Sequence, residues 1–264
     1  MAPESPARAS RLDTVWARCH VVYFVASTLV GAVLAIASFP FSPSGDAVIF
    51  LARLWSRLLL ATARVRVVVT FHGTGGALAA DRPYVFAANH ASSVDIWALF
   101  VALPVNFRFI AKKQLGHIPL FGWAMAAGRF IFIDRQNPAA ARRSIARAAA
   151  RIRSGTSVAI FPEGTRTRDG TLGPFKKGGV RLAAEAGVPI VPIAIRGSRE
   201  IMPRGSVFLR RGTVHVDVGE PIATAGIHSS GERTVLVEKI RDAIAQMLAE
   251  NADARGAGRS PPTQ

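Results

Sequence analysis

Five short apolar runs, at residues 84–88, 107–111, 129–133, 157–161 and 188–195, recur along the chain with helical stretches between them. Runs of this length bounded by turn residues suit buried strands. Strands alternating with helices predict an α/β fold, a mostly parallel sheet flanked by helices. An opening strand over residues 65–71 continues the pattern. The constraint reaches beyond the fold, because open α/β sheets bind their ligands outside the carboxyl ends of their strands. The residues leaving those ends are where chemistry is to be sought.

Between the strands, residues 96–103 and 121–127 read as helices, and an Ala-rich helix opens at Pro138 and runs to Ile152. Its Arg143, Arg147 and Arg151 recur every four residues as a basic stripe, the pattern of a solvated face. Residues 207–209 and 214–218, joined through Arg210-Arg211-Gly212, resemble a β-hairpin. Pro189 and Pro192 put the 188–195 run at an edge or in an irregular position. Val237, Ile240, Ile244 and Leu248 share one face of a last amphipathic helix, after which the chain from Asn251 is too polar to fold. The Gly73–Gly76 turn lacks the spacing of a dinucleotide loop, so no cofactor is read there.

The N-terminal segment has a different character. Residues 21–39 contain no charge and are long enough, at about 1.5 Å per residue, to cross a hydrocarbon core. Pro40, Pro43 and Gly45 then break the helix, and a second apolar segment over 47–63 carries Arg53 and Arg57 on one face, suited to lipid headgroups. Arginines flank the pair on both sides, at Arg8, Arg11 and Arg18 and at Arg64 and Arg66, which favours a membrane-associated helical hairpin with both ends cytoplasmic. Two other readings stand beside it: a cleaved signal peptide ending near Ala35-Ile36-Ala37, and two core helices of a soluble protein. The expected organisation is residues 1–66 as a membrane-associated helical segment, 67–250 as the α/β domain and 251–264 as a tail.

Asn89-His90 leaves the 84–88 strand, and Asp95 follows about one helical turn into the next helix. Histidine exchanges protons near neutral pH, and a carboxylate at that spacing can hold its ring in one tautomer. The bland alternative is a capping box, Ser92-Ser93-Val94-Asp95, in which Asp95 only satisfies amides at a helix start. Cys19, the only cysteine, lies in the N-terminal segment and is poorly placed as a nucleophile.

The chain carries a net charge of +16, implying an anionic partner, and residues 105–182 hold fifteen basic residues against three acidic ones. Lys112, Arg135, Arg166 and Lys176 all follow strand ends, on the expected rim of His90. Such cations are candidates to grip a phosphate. A nucleic-acid reading module, a Gly-x-Ser-x-Gly elbow, a Walker loop and a His-Glu-x-x-His helix are all missing from the sequence, so nucleic acid is not an expected partner.

Four blocks, in order, resemble the glycerolipid acyltransferases typified by bacterial 1-acyl-glycerol-3-phosphate acyltransferase. They are Asn89-His90-x4-Asp95, Gly128-Arg129-Phe130-Ile131-Phe132-Ile133-Asp134-Arg135, Phe161-Pro162-Glu163-Gly164-Thr165-Arg166 and Val188-Pro189-Ile190-Val191-Pro192-Ile193. The resemblance covers about residues 67–225 and matches the N-terminal segment only in kind. It implies transfer of a fatty acyl group from acyl-CoA or acyl carrier protein to a lysophospholipid hydroxyl at the cytoplasmic face of the membrane. His90 would be the general base and Asp95 its orienter. Arg135, Glu163, Gly164, Thr165 and Arg166 would position the glycerophosphate, with Lys112 and Lys176 as further candidates, and neither metal nor cofactor is needed. Another lysolipid acceptor, such as a lyso-ornithine lipid, and a non-catalytic basic protein of the membrane surface are the competing expectations.

Overall fold

The apolar runs become β1 (Val65–Phe71), β2 (Val85–Ala88), β3 (Phe107–Lys112), β4 (Ile131–Ile133), β5 (Ser157–Ile160), β6 (Ile190–Arg196) and β7 (Gly212–Val218). They join in one 7-stranded sheet of order β1-β7-β6-β2-β5-β3-β4. Every pair is parallel except β6–β7. The computed structural model describes residues 11–73, 78–79, 82–134, 138–167 and 169–257. Most of the expected Gly73–Gly76 turn, Arg8, Arg135, Arg168 and the last residues of the tail lie outside the described residues.

Burial follows position in the sheet. Every residue of β2 and β5 is buried, as expected of strands covered on both faces, whereas β1 alternates inward and outward as an edge strand. One face carries α2 (Asp46–Thr62), α3 (Val94–Ala102) and the short α7 (Ser198–Ile201); the other carries α5 (Pro138–Arg153), α6 (Gly178–Ala186) and α8 (Ser230–Ala257). The first layer is extended by α1 (Arg11–Ser38), which packs on α2 and on α4 (Phe121–Ala127). Seven of the nine residues of α3 are buried because it lies between the sheet and α2.

Four expectations change. Residues 207–209 form no strand, and β7 pairs with β1 and β6 rather than with its own upstream segment. The apolar character of Leu209 reflects burial beneath the sheet, not strand pairing. The strand with Pro192 is central, not an edge. Pro192 faces the β7 side one step beyond the Ile193–Val218 pair, where its carbonyl accepts from Gly219 N–H, so its missing N–H falls at the end of the β6–β7 ladder and not inside it. The helix α8 continues to Ala257, past Asn251. Finally, Arg53 does not face headgroups: its guanidinium donates to the carbonyls of Pro104 and Val105, tying α2 to the end of α3, while Arg57 is exposed.

The segment Val15–Ser38 is long and apolar enough to cross a membrane, and only 11% of its most apolar window is buried inside the protein. Its neighbour α2 behaves differently. Ile49, Leu59 and Leu60 enter the core shared with the sheet, so α2 is built into the α/β unit rather than standing apart from it. Arg143 and Arg147 on α5 are exposed, as a solvated face requires, whereas Arg151 of the same stripe is half-buried.

Candidate active site

The site begins with a staple. Where the β2–β6 ladder ends, the Asn89 side chain continues it: its Nδ2 donates to Ile195 O at 2.9 Å and its Oδ1 accepts from Ile195 N–H at 2.7 Å. The main chain is thereby free to turn away from the sheet at His90. Ser92 Oγ, fully buried, donates to Met202 O at 2.7 Å and accepts from Val94 N–H at 3.2 Å, closing the entrance to α3.

Asp95 does more than cap the helix, and it does so with one oxygen. Asp95 Oδ2 accepts from Ala91 N–H and Ser92 N–H at 2.8 Å each, satisfying amides ahead of the helix. The same Oδ2 lies 2.8 Å from His90 Nδ1. An ionised carboxylate only accepts, so Nδ1–H is the donor in this contact, and in the neutral ring Nε2 is then the nitrogen able to accept. Asp95 is 0% exposed, whereas the His90 side chain is 14% exposed and lines a cavity.

Two further groups fix His90. Its ring stacks on Phe161 with centroids 3.8 Å apart and planes 12° apart, and Phe161 stacks in turn on Phe109. Its backbone N–H donates to Glu163 Oε1 at 2.8 Å, while Glu163 Oε2 accepts from Gly173 N–H at 3.0 Å. Glu163 is thus a buried brace whose two oxygens face main-chain amides. Burial pushes its carboxyl up from the ordinary value, opposed by those two amide bonds.

The cavity encloses about 620 Å³. Its walls are mostly apolar and come from α1 (Phe24, Gly31, Ala35), α2 (Leu51, Trp55), α3 (Trp97, Phe100) and α4 (Phe121, Met125). Polar groups gather at the end where His90, Ser93, Lys112, Gly164 and Arg166 line it. Arg166 Nη1 donates to Ser93 Oγ at 3.1 Å, which holds that guanidinium at the start of α3, and Arg204 Nη1 donates to the Arg166 backbone carbonyl at 3.2 Å. Gly164 takes φ +79°, a left-handed turn at the carboxyl end of β5 that suits glycine.

Comparison with known proteins follows this geometry. Residues 68–196 match the family model described as "Acyltransferase". Over 225 residues the chain is 30% identical to the 1-acyl-sn-glycerol-3-phosphate acyltransferase of Pseudomonas aeruginosa, covering 84% of this chain and 85% of that one. The chain belongs to the acyltransferase family. A chloroplastic family member from Brassica napus, also named 1-acyl-sn-glycerol-3-phosphate acyltransferase, is 34% identical over 200 residues, 75% of this chain. The chain spans only 55% of that relative's length. The crystal structure of the 1-acyl-sn-glycerophosphate (LPA) acyltransferase from Thermotoga maritima superposes with a TM-score of 0.72 at 25% identity, covering 89% of this chain and 98% of that one.

Of the residues singled out in the sequence of this family member, the structure brings together His90, Asp95, Gly164, Arg166 and Lys112, with Glu163 directly beneath them. It does not bring in Lys176, which borders the opposite side of the sheet beside Val237 and Ile240, although its N–H reaches Pro162 O. The Thr165 side chain is exposed and donates to Arg166 O at 3.2 Å rather than lining the cavity. Arg135 lies outside the described residues. Phe161, Ser93 and Gly173 were missed. For Phe161 a signal existed: it leaves β5, the strand beside β2, and so falls on the rim of His90.

Proposed function

We propose that this acyltransferase moves a fatty acyl group from acyl-CoA or acyl carrier protein to the free hydroxyl of 1-acyl-glycerol-3-phosphate, giving phosphatidic acid. The observation that carries the reading is the His90–Asp95 pair at the polar end of an apolar cavity that also holds Arg166 and Lys112. In this reading His90 Nε2 takes the hydroxyl proton as the oxygen attacks the thioester carbonyl. The imidazolium that forms is stabilised by Asp95, and its proton passes to the departing thiolate as the tetrahedral intermediate collapses. The thioester is already activated, so the reaction uses neither metal nor cofactor. Arg166 and Lys112 bind the phosphate of the acceptor, and the cavity between α1, α2 and α3 takes an acyl chain. The protein works at the cytoplasmic face of the cell membrane, with α1 in the bilayer.

Support comes from the names of the relatives together with this geometry. The test is an assay of the purified protein with labelled acyl-CoA and, separately, acyl carrier protein, against a panel of lysolipids. Labelled phosphatidic acid from 1-acyl-glycerol-3-phosphate is expected. Transfer only to a phosphate-free acceptor such as a lyso-ornithine lipid, or no transfer to any lysolipid, overturns the reading.

A further inference from the structure

An exposed apolar feature lies outside the N-terminal hairpin, beside the cavity. Between β3 and α4 the chain makes a 3-10 turn (Lys113–His117) and then displays three large apolar side chains to solvent: Ile118 at 45% exposure, Phe121 at 40% and Trp123 at 57%. Their display is not slack in the chain. Leu120 is held at φ +61°, a conformation unfavourable for a side chain of that kind, and a Cβ on Gly122 would meet the Gly116 carbonyl oxygen at 2.4 Å. The turn is therefore tightly folded against itself while its apolar crest stays uncovered.

Its position points to the occupant. The buried face of α4, through Ala124 and Ala127, packs with Ala32 and Ala35 of α1 and with Val48 of α2. That is the end of the hairpin where Phe39 and the 90% exposed Phe41 emerge. Arg129, just after α4, donates to Pro43 O at 2.9 Å and lies over the Phe39 ring at 5.3 Å, joining crest and hairpin tip. Exposed Lys112, on the cavity rim, and Lys113, 3.4 Å from the Asp134 carboxylate, border the crest, the arrangement in which long cationic side chains lie at headgroup depth while apolar neighbours enter the acyl boundary. Tryptophan suits that depth, with its ring in the apolar zone and its N–H toward water. Phe121 is shared, because it both faces outward and lines the cavity.

We infer that the Ile118–Phe121–Trp123 crest is a second membrane-inserting element, remote in sequence from the hairpin, which seats the cavity mouth against an anionic bilayer. The inference rests on the lipid-directed reading above, and its primary readout is independent of turnover. Cys19 is replaced by Ser, Trp123→Cys is labelled with an environment-sensitive fluorophore, and the full chain is reconstituted in phosphatidylcholine–phosphatidylglycerol vesicles. A label at Glu238→Cys, on the exposed side of α8, serves as reference. The label at 123 is expected to shift to the blue and to be quenched by lipids brominated near the ester region but not by aqueous iodide. Iodide quenching at 123 equal to that at 238 overturns the proposal. In a second arm, Ile118→Ser/Trp123→Ser is expected to raise KM several-fold for lysolipid presented in vesicles while leaving KM and kcat for a short-chain, freely soluble lysolipid unchanged. Equal losses on both substrates also overturn it. Lipid quenching without acyl transfer sinks the proposed reaction and leaves this surface standing.

Discussion

The same carboxylate oxygen of Asp95 meets His90 Nδ1–H and two backbone amides, so its charge and its geometry act on different partners. Asp95→Asn separates them. The amide keeps one oxygen to serve the backbone or the ring but not the charge that stabilises imidazolium. A fall in kcat on the order of 10²–10⁴ is expected, with the circular dichroism spectrum unchanged. His90→Ala, which removes one side-chain hydrogen bond, that to Asp95, among the described residues, is expected to lose turnover on the order of 10² or more at near-native Tm. Glu163 gives a different signature. Its folded-state pKa is raised above the reference 4.5 by burial, so the stability it contributes is fully present below that pH and is lost as pH rises through the folded value. Unfolding free energy measured against pH for wild type and Glu163→Gln should diverge upward from about 4.5, with wild type losing more. Parallel curves would show that burial of this carboxyl has no energetic consequence.

At the level of elements, the decisive joint is between α2 and β3. Asp46 opens α2, where a negative charge meets the positive end of the helix, and its Oδ1 accepts from buried Arg108 of β3 at 2.9 Å. Arg108 holds the Asp46 carboxyl below the usual carboxylate range, with help from Ser44. Asp46→Ala leaves the Arg108 guanidinium, only 4% exposed, with the Ser44 and Phe107 carbonyls but no counter-charge. The cost is expected to be roughly 1–2 kcal/mol, between an exposed pair and a fully buried one, and to appear as a lower denaturant midpoint with an unchanged m value. This joint was not legible in the sequence, because Asp46 and Arg108 are 62 positions apart and no periodicity links them. Local rules served best where one force dominates. The fully buried runs of β2 and β5 announced themselves by composition, and Pro138 marked the start of α5. They failed where pairing is non-local, as when β7 chose β1 and β6 over residues 207–209.

For the whole molecule, strand ends proved the informative positions. Residues at the carboxyl ends of β2, β3 and β5, namely His90, Lys112, Gly164 and Arg166, converge on one cavity because those strands are adjacent and parallel. Strand order, which sequence leaves open, is what separated Lys176 from this group: it sits across the sheet, by α6 and α8. The apolar half of the cavity was hidden for the same reason. Phe24, Trp55 and Trp97 come from three helices distant in sequence, and their rings pack at 5.7 to 5.9 Å centroid spacing. Seen singly, each reads as lipid-facing or as ordinary core.

That α1 supplies one wall of the cavity bears on any attempt to make a detergent-free version by deleting it. Trimming the chain ahead of Asp46 removes Phe24, Ser27, Thr28, Gly31, Ala32 and Ala35 together and unroofs the chamber beside His90. Such a truncated form should keep its sheet, since β1 to β7 do not depend on α1 for pairing, yet fail to retain a long-chain substrate. In the proposed reading α1 both enters the bilayer and walls the chamber that takes the fatty chain, so deleting it to remove the first contribution forfeits the second.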